Sequence, residues 1–140
     1  MEATKVCYSI LLVEDDPLVQ FIHRTMLEEL GCKVFVASNA VEAINLANRK
    51  YDFVFLDIGL PDINGIELAS MLRLMFQHPT RLVALTTCTD VDTQRKCLSV
   101  GIERVFYKPI NFQDLALLFK SMVNFDVLVT AIDELERTSF

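Results

Sequence analysis

Ile10-Leu11-Leu12-Val13-Glu14-Asp15-Asp16-Pro17 decides how this chain is read, because an unbroken apolar run stops abruptly at three acids and a proline. Consecutive aliphatic residues without polar alternation suit a strand covered on both faces, as in a parallel sheet. Two other runs end in the same manner. Phe53-Val54-Phe55-Leu56 stops at Asp57, and Arg104-Val105-Phe106-Tyr107 stops at Lys108-Pro109. If the three are neighbouring parallel strands, their C-terminal ends surround one crevice, where open α/β sheets bind ligands. Carboxylates this close repel one another unless a hard cation joins them. The pattern therefore points to a magnesium site with a reactive aspartate and a nearby ammonium.

Working outward, short apolar runs alternate with helical patterns five times, the signature of βαβ units. Strands are expected at 8–13, 33–37, 52–57, 81–85 and 104–107. Pro17 suits the first position of a helix carrying Val19, Ile22, Met26, Leu27 and Leu30 at helical spacing, with Gly31 as its left-handed cap. Ser38 or Asn39 caps a second helix through Val41, Ala43, Ile44 and Ala47. Ile66, Leu68, Ala69, Leu72 and Met75 outline a third, closed by His78-Pro79. A weakly periodic fourth spans 91–100 and stops at Gly101, and Leu115, Leu118, Phe119 and Met122 mark a fifth. Residues 126–140 read either as one more amphipathic helix (Val127, Leu128, Ala131, Ile132, Leu135) or as a frayed tail.

Composition narrows the function classes. The 140 residues fit one domain, 52% hydrophobic and 23% charged, with a net charge of −6. That balance argues against nucleic-acid and anionic-membrane partners, which select basic surfaces. No signal pattern or membrane-length apolar run is legible, so a cytoplasmic setting is expected. Cys7, Cys32, Cys88 and Cys97 lack metal-ligand spacing and are read as buried free thiols. His23 is read as a surface or satellite packing residue and His78 as a loop residue.

Each motif has a plainer reading. Asp57 alone would be a turn former, Asp16 a helix cap, and Lys108-Pro109 a strand exit. Together they describe a site: acids for Mg2+, a lysine as a mobile point charge for a phosphate, and Thr86, at the end of Leu82-Val83-Ala84-Leu85, as a hydroxyl donor to the same anion.

Taken in order, Val13-Glu14-Asp15-Asp16-Pro17, Leu56-Asp57-Ile58-Gly59-Leu60-Pro61 with Gly65, Leu85-Thr86 and Lys108-Pro109 resemble a receiver domain of a two-component response regulator. The resemblance covers residues 8–122, leaving 123–140 as a C-terminal extension, and its wording is closest to receivers of hybrid histidine kinases. It implies a flavodoxin-like (βα)5 three-layer sandwich with a parallel sheet of order 2-1-3-4-5. It also implies that Asp57 accepts a phosphoryl group from a phosphohistidine of a sensor histidine kinase or phosphotransfer protein. Asp15, Asp57 and the Gly59 backbone carbonyl would hold Mg2+, with Glu14 in the outer sphere. Lys108 and Thr86 would couple the phosphoryl group to the face of helix 4, strand 5 and helix 5.

The implied protein is a signalling switch that catalyses only its own phosphorylation and dephosphorylation. It would work as a monomer or a phosphorylation-dependent dimer, on a downstream protein target the sequence does not name. No output domain is legible after residue 122, so it is expected to act by protein contact, alone or as part of a hybrid kinase. Three departures from the family pattern stand out. Val105 replaces the aromatic three positions before the lysine, Thr87 is larger than usual, and neither Gly59 nor Cys88 offers a side chain to orient an attacking water, so slow self-dephosphorylation is expected. Three rivals are weaker. A dehalogenase-type phosphatase needs an acid where Gly59 stands, a nucleotide or flavin domain needs a phosphate loop that four glycines do not provide, and a pseudo-receiver would lack phosphorylation although every site residue is present.

Overall fold

The computed structural model describes residues 7–88 and 90–120. Five strands, β1 (Ser9–Val13), β2 (Lys33–Ala37), β3 (Phe53–Asp57), β4 (Arg81–Thr86) and β5 (Ile102–Tyr107), form one parallel sheet in the order β2-β1-β3-β4-β5. The helices are α1 (Pro17–Glu29), α2 (Ala40–Leu46), α3 (Gly65–Met75), α4 (Val91–Ser99) and α5 (Phe112–Lys120). The sheet and α1–α4 lie in a unit ending at Ile110, and α5 belongs to a second unit beginning at Asn111. This is the expected flavodoxin-like architecture. Met122 and the segment 126–140 lie outside the described residues.

Local chemistry sets the boundaries. Asp16 caps α1 by accepting from the N–H groups of Leu18 (2.9 Å) and Val19 (3.3 Å), with Pro17 as the first helical residue. Asn39, rather than Ser38, caps α2, and Asn64 and Asp90 cap α3 and α4. Gly31 and Gly101 take φ of +94° and +91° just beyond α1 and α4, conformations that a side chain would strain. β5 starts two residues earlier than its apolar run, because Ile102 pairs with Leu82 across a register shift between Leu82 and Val83.

Strand alternation divides the core into two layers. Leu11, Val13, Val54, Leu56, Leu82 and Ala84 pack with Ala40, Ala43 and Ala47, with Leu68, Ala69 and Leu72, and with Cys97, so α2, α3 and α4 cover that face. The intervening residues Ile10, Leu12, Phe53, Phe55, Val83 and Leu85 are also buried and face the side of α1. Both faces of the three central strands β1, β3 and β4 are therefore dry, which is why their interiors are apolar throughout, whereas the edge strand β5 carries Glu103 and Arg104. In the second unit, α5 buries Leu115, Leu118 and Phe119 on one stripe.

Candidate functional site

The alternation that fills the core also delivers the polar groups. Glu14 continues the side of Ile10 and Leu12, Asp57 that of Phe53 and Phe55, and Lys108 that of Phe106, so all three emerge at the C-terminal end on the α1 side. There the Lys108 Nζ lies 3.0 Å from Glu14 Oε1 and 3.1 Å from Asp57 Oδ2. Glu14 is fully buried and Asp57 is 4% exposed, while Asp15 is open to solvent. Oxygens of Glu14, Asp15 and Asp57 lie within 4.8 Å of one another.

The backbone fixes these carboxylates. Glu14 is still held as a strand residue by donating its N–H to the Ala37 carbonyl (3.0 Å), and its Oε2 accepts from the Asp16 N–H (3.1 Å). The Gln20 amide donates to the Glu14 carbonyl and to Ser38 Oγ. Asp57 Oδ1 accepts from the Gly59 N–H at 2.9 Å. The loop then returns so tightly that a Cβ on Gly65 would stand 2.5 Å from the Asp57 carbonyl oxygen, so this position needs glycine for close approach. Asp62, in the same loop, accepts from the Ala40 (3.0 Å) and Val41 (3.1 Å) N–H groups and ties the loop to the start of α2.

Charge in the site is unbalanced. Burial pushes the Glu14 carboxyl up to about 7, opposed by its hydrogen bonds to Lys108 and Asp16 and reinforced by the nearby Asp57. Burial works against the Lys108 ammonium, yet hydrogen bonds to Glu14 and Asp57 hold it above the ordinary lysine range. One lysine thus serves two buried acids and stands near a third. A hard divalent cation completes such a donor set, and the oxygens present fit one.

Thr86 lies on the opposite strand register, continuing Leu82 and Ala84, and is buried. Its hydroxyl accepts from the Cys88 N–H at 3.0 Å, so it is engaged by its own loop at the cleft wall. Thr86, Gly59, Thr87 and Cys88 line the same cleft as the acids and Lys108, with a volume of about 420 Å³. All six expected site residues therefore meet around one cavity. Sequence reasoning missed Gln20, Asp62 and His23.

His23 corrects the surface reading. It is 1% exposed, and its Nε2 accepts the Ile110 N–H at 3.2 Å. The signal was present, since His23 sits four residues from both Val19 and Leu27 on the buried stripe of α1. The cysteine reading holds for Cys32 and Cys97 only, because Cys7 and Cys88 are exposed. His78 lies in the loop between α3 and β4, as expected, and is exposed.

A fold of this topology with acids and a lysine at the C-terminal strand ends has close parallels. The family model for the response regulator receiver domain matches residues 10–120. The chain belongs to that family. The chain is 27% identical over 137 residues to a probable C4-dicarboxylate response regulator DctR of Priestia megaterium, covering 96% of this chain and 60% of that one. It is 30% identical over 118 residues to the transcriptional regulatory protein CrdR of Helicobacter pylori, covering 84% and 55%. The chain thus spans less than two thirds of the length of these relatives. Among solved structures, it resembles the receiver domain of the sensor histidine kinase PA1611 from Pseudomonas aeruginosa, with 27% identity, a TM-score of 0.74, and 83% and 97% of the two chains covered. That structure carries a magnesium ion coordinated in its active site cleft. Among the described residues of this receiver, no helix is long and apolar enough to cross a membrane.

Proposed function

We propose that Asp57 is the phosphoacceptor of this receiver, taking its phosphoryl group from a phosphohistidine of a partner histidine kinase or phosphotransfer protein. The observation that carries the reading is the buried Asp57 carboxylate, with Lys108 Nζ on one oxygen and the Gly59 N–H on the other, inside a cluster of acids spaced for a cation. In the transfer, an Asp57 oxygen forms the new P–O bond as the donor's P–N bond breaks, and the imidazole leaves with a proton. Asp15, Asp57 and the Gly59 carbonyl would hold Mg2+, with Glu14 behind them in the outer sphere. The ion supplies charge neutralisation across the phosphoryl oxygens and a template for in-line attack.

The chain's own groups do the rest. Lys108, already between Glu14 and Asp57, exchanges its Asp57 contact for a phosphoryl oxygen and offsets the equatorial charge. Thr86 gives up the Cys88 N–H and turns its hydroxyl toward the phosphoryl group, moving the Thr87-Cys88 loop that leads into α4. This exchange makes a two-state element whose balance shifts with phosphorylation. The phosphorylated receiver then acts on a downstream protein from the cytoplasm, and we read the functional unit as residues 8–122.

The test is intact-mass measurement after incubation with an acyl phosphate, with and without Mg2+. One added phosphoryl group in the wild type, lost in Asp57→Ala and without Mg2+, is expected. No adduct from either the small donor or a histidine kinase, together with no Mg2+ binding, would point instead to a receiver fold used only for contact.

A further inference from the structure

Helix α1 leaves the acidic loop at Pro17, and two turns later the buried His23 reaches the backbone just beyond Lys108, whose side chain lines the cleft. The connection runs through the turn that carries Lys108. In that turn the Lys108 N–H donates to the Thr86 carbonyl at 2.9 Å, Pro109 has no N–H, and the Ile110 N–H donates to His23 Nε2 at 3.2 Å. The backbone beyond the lysine is therefore held by β4 on one side and by one imidazole nitrogen on the other. Ile110 is itself 4% exposed, so its N–H has no solvent to replace that acceptor.

We infer that His23 is a positioning residue of the phosphoryl-transfer site: its neutral imidazole fixes the Lys108-Pro109-Ile110 turn, and through it the point where the lysine ammonium meets Glu14 and Asp57. The inference rests on the reading of Asp57 as phosphoacceptor. Three observations carry it. His23 occupies a buried stripe position, between Val19 and Leu27, that an apolar side chain would fill without desolvation cost. Its Nδ1 has no partner among the described residues, so the ring is not there to satisfy a network of its own. The nitrogen that does have a partner grips the segment bearing the site's lysine, and acceptance at Nε2 places the ring proton on Nδ1.

The ring's charge state agrees. Burial, then the Lys108 ammonium, push its pKa down to about 4 against the pull of Asp57, so the imidazole is an acceptor throughout the neutral range. Lys108 and Asp57 are the charged groups that act on it. A cationic ring would present a donor to the Ile110 N–H and push against Lys108. Geometry at a reacting centre is worth much, since a displacement of about 1 Å costs up to roughly a hundredfold in rate.

Two measurements test the role. The first is the rate of Mg2+-dependent phosphorylation by an acyl phosphate in wild type, His23→Leu and His23→Gln, each also combined with Lys108→Ala. His23→Leu is expected to slow the reaction roughly tenfold or more. His23→Gln, which keeps a carbonyl acceptor, recovers most of that loss, and neither change matters once Lys108 is gone. The second, on the wild type alone, is the nitrogen-15 spectrum of the imidazole, expected to show a protonated Nδ1 and an unprotonated, hydrogen-bonded Nε2. Wild-type rates in His23→Leu, an equal slowing in the Lys108→Ala background, or the opposite tautomer would each overturn the positioning role. A wild type that takes no phosphoryl group would overturn the reading of Asp57 instead.

Discussion

The two ends of the sheet handle polar groups in opposite ways. At the N-terminal end donors and acceptors match: Arg81 binds Glu103 through two nitrogens at 2.5 and 2.6 Å, and Asp52 accepts the Ser9 N–H at 2.8 Å. Thr80 donates to the Tyr51 carbonyl at 3.0 Å, and the Tyr51 hydroxyl donates to the Leu46 carbonyl at 2.8 Å. At the C-terminal end three acids gather around one lysine, and two of the acids are buried. Matched groups hold strands in register. Unmatched charge leaves a free-energy deficit that a cation and a phosphoryl group can change, so the first end serves stability and the second serves switching.

The sharpest way to break this comparison is Lys108→Ala. It leaves Glu14 buried without its ion partner, and a loss of about 3 kcal/mol is expected in denaturant unfolding at pH 8 without metal. Protonation of Glu14 relieves the deficit, so the loss shrinks at pH 5, and added Mg2+ restores part of it at pH 8. An equal loss at both pH values would mean that Lys108 acts by packing rather than by charge.

A smaller effect belongs to Glu14 in the wild type. Its pKa in the folded state, about 7 against an ordinary value of 4.5, means that the folded protein holds an extra proton between those limits. The Glu14 contribution is complete below about 4.5 and is lost as pH rises through 7, with a slope of at most about 1.4 kcal/mol per pH unit. Mg2+ competes with that proton, so its affinity falls as pH drops below 7 and binding releases a proton, which calorimetry in buffers of different ionisation enthalpy would read. Affinity that stays flat from pH 6 to 8 would contradict the assignment.

The smallest effect lies at the matched end. Arg81→Ala is expected to cost about 1 kcal/mol or less, since the pair is partly exposed, and to leave phosphorylation unchanged. A large change in phosphorylation rate there would erase the distinction between the two ends.

The same contrast explains what the sequence disclosed. The strands, the helix starts at Pro17 and Asn39 and the stops at Gly31 and Gly101 follow from local rules, and the strand-end acids and Lys108 follow from the topology those rules imply. What stayed hidden depends on contacts across the fold. Asp62 caps a helix 22 residues earlier in sequence, Gln20 reaches the Glu14 carbonyl and Ser38, and His23 meets a backbone N–H 87 residues away. The engagement of Thr86 by Cys88 depends on loop conformation, which composition does not specify. His23 was the nearest to legible, because its place on the apolar stripe signals burial whatever its polarity.

The central claim is tested most directly by intact mass of the wild type and Asp57→Ala after incubation with an acyl phosphate and Mg2+. The account predicts a single phosphoryl adduct on the wild type, localised to Asp57 and absent from the variant. An adduct that persists in Asp57→Ala, or on a wild type stripped of Mg2+, would contradict it.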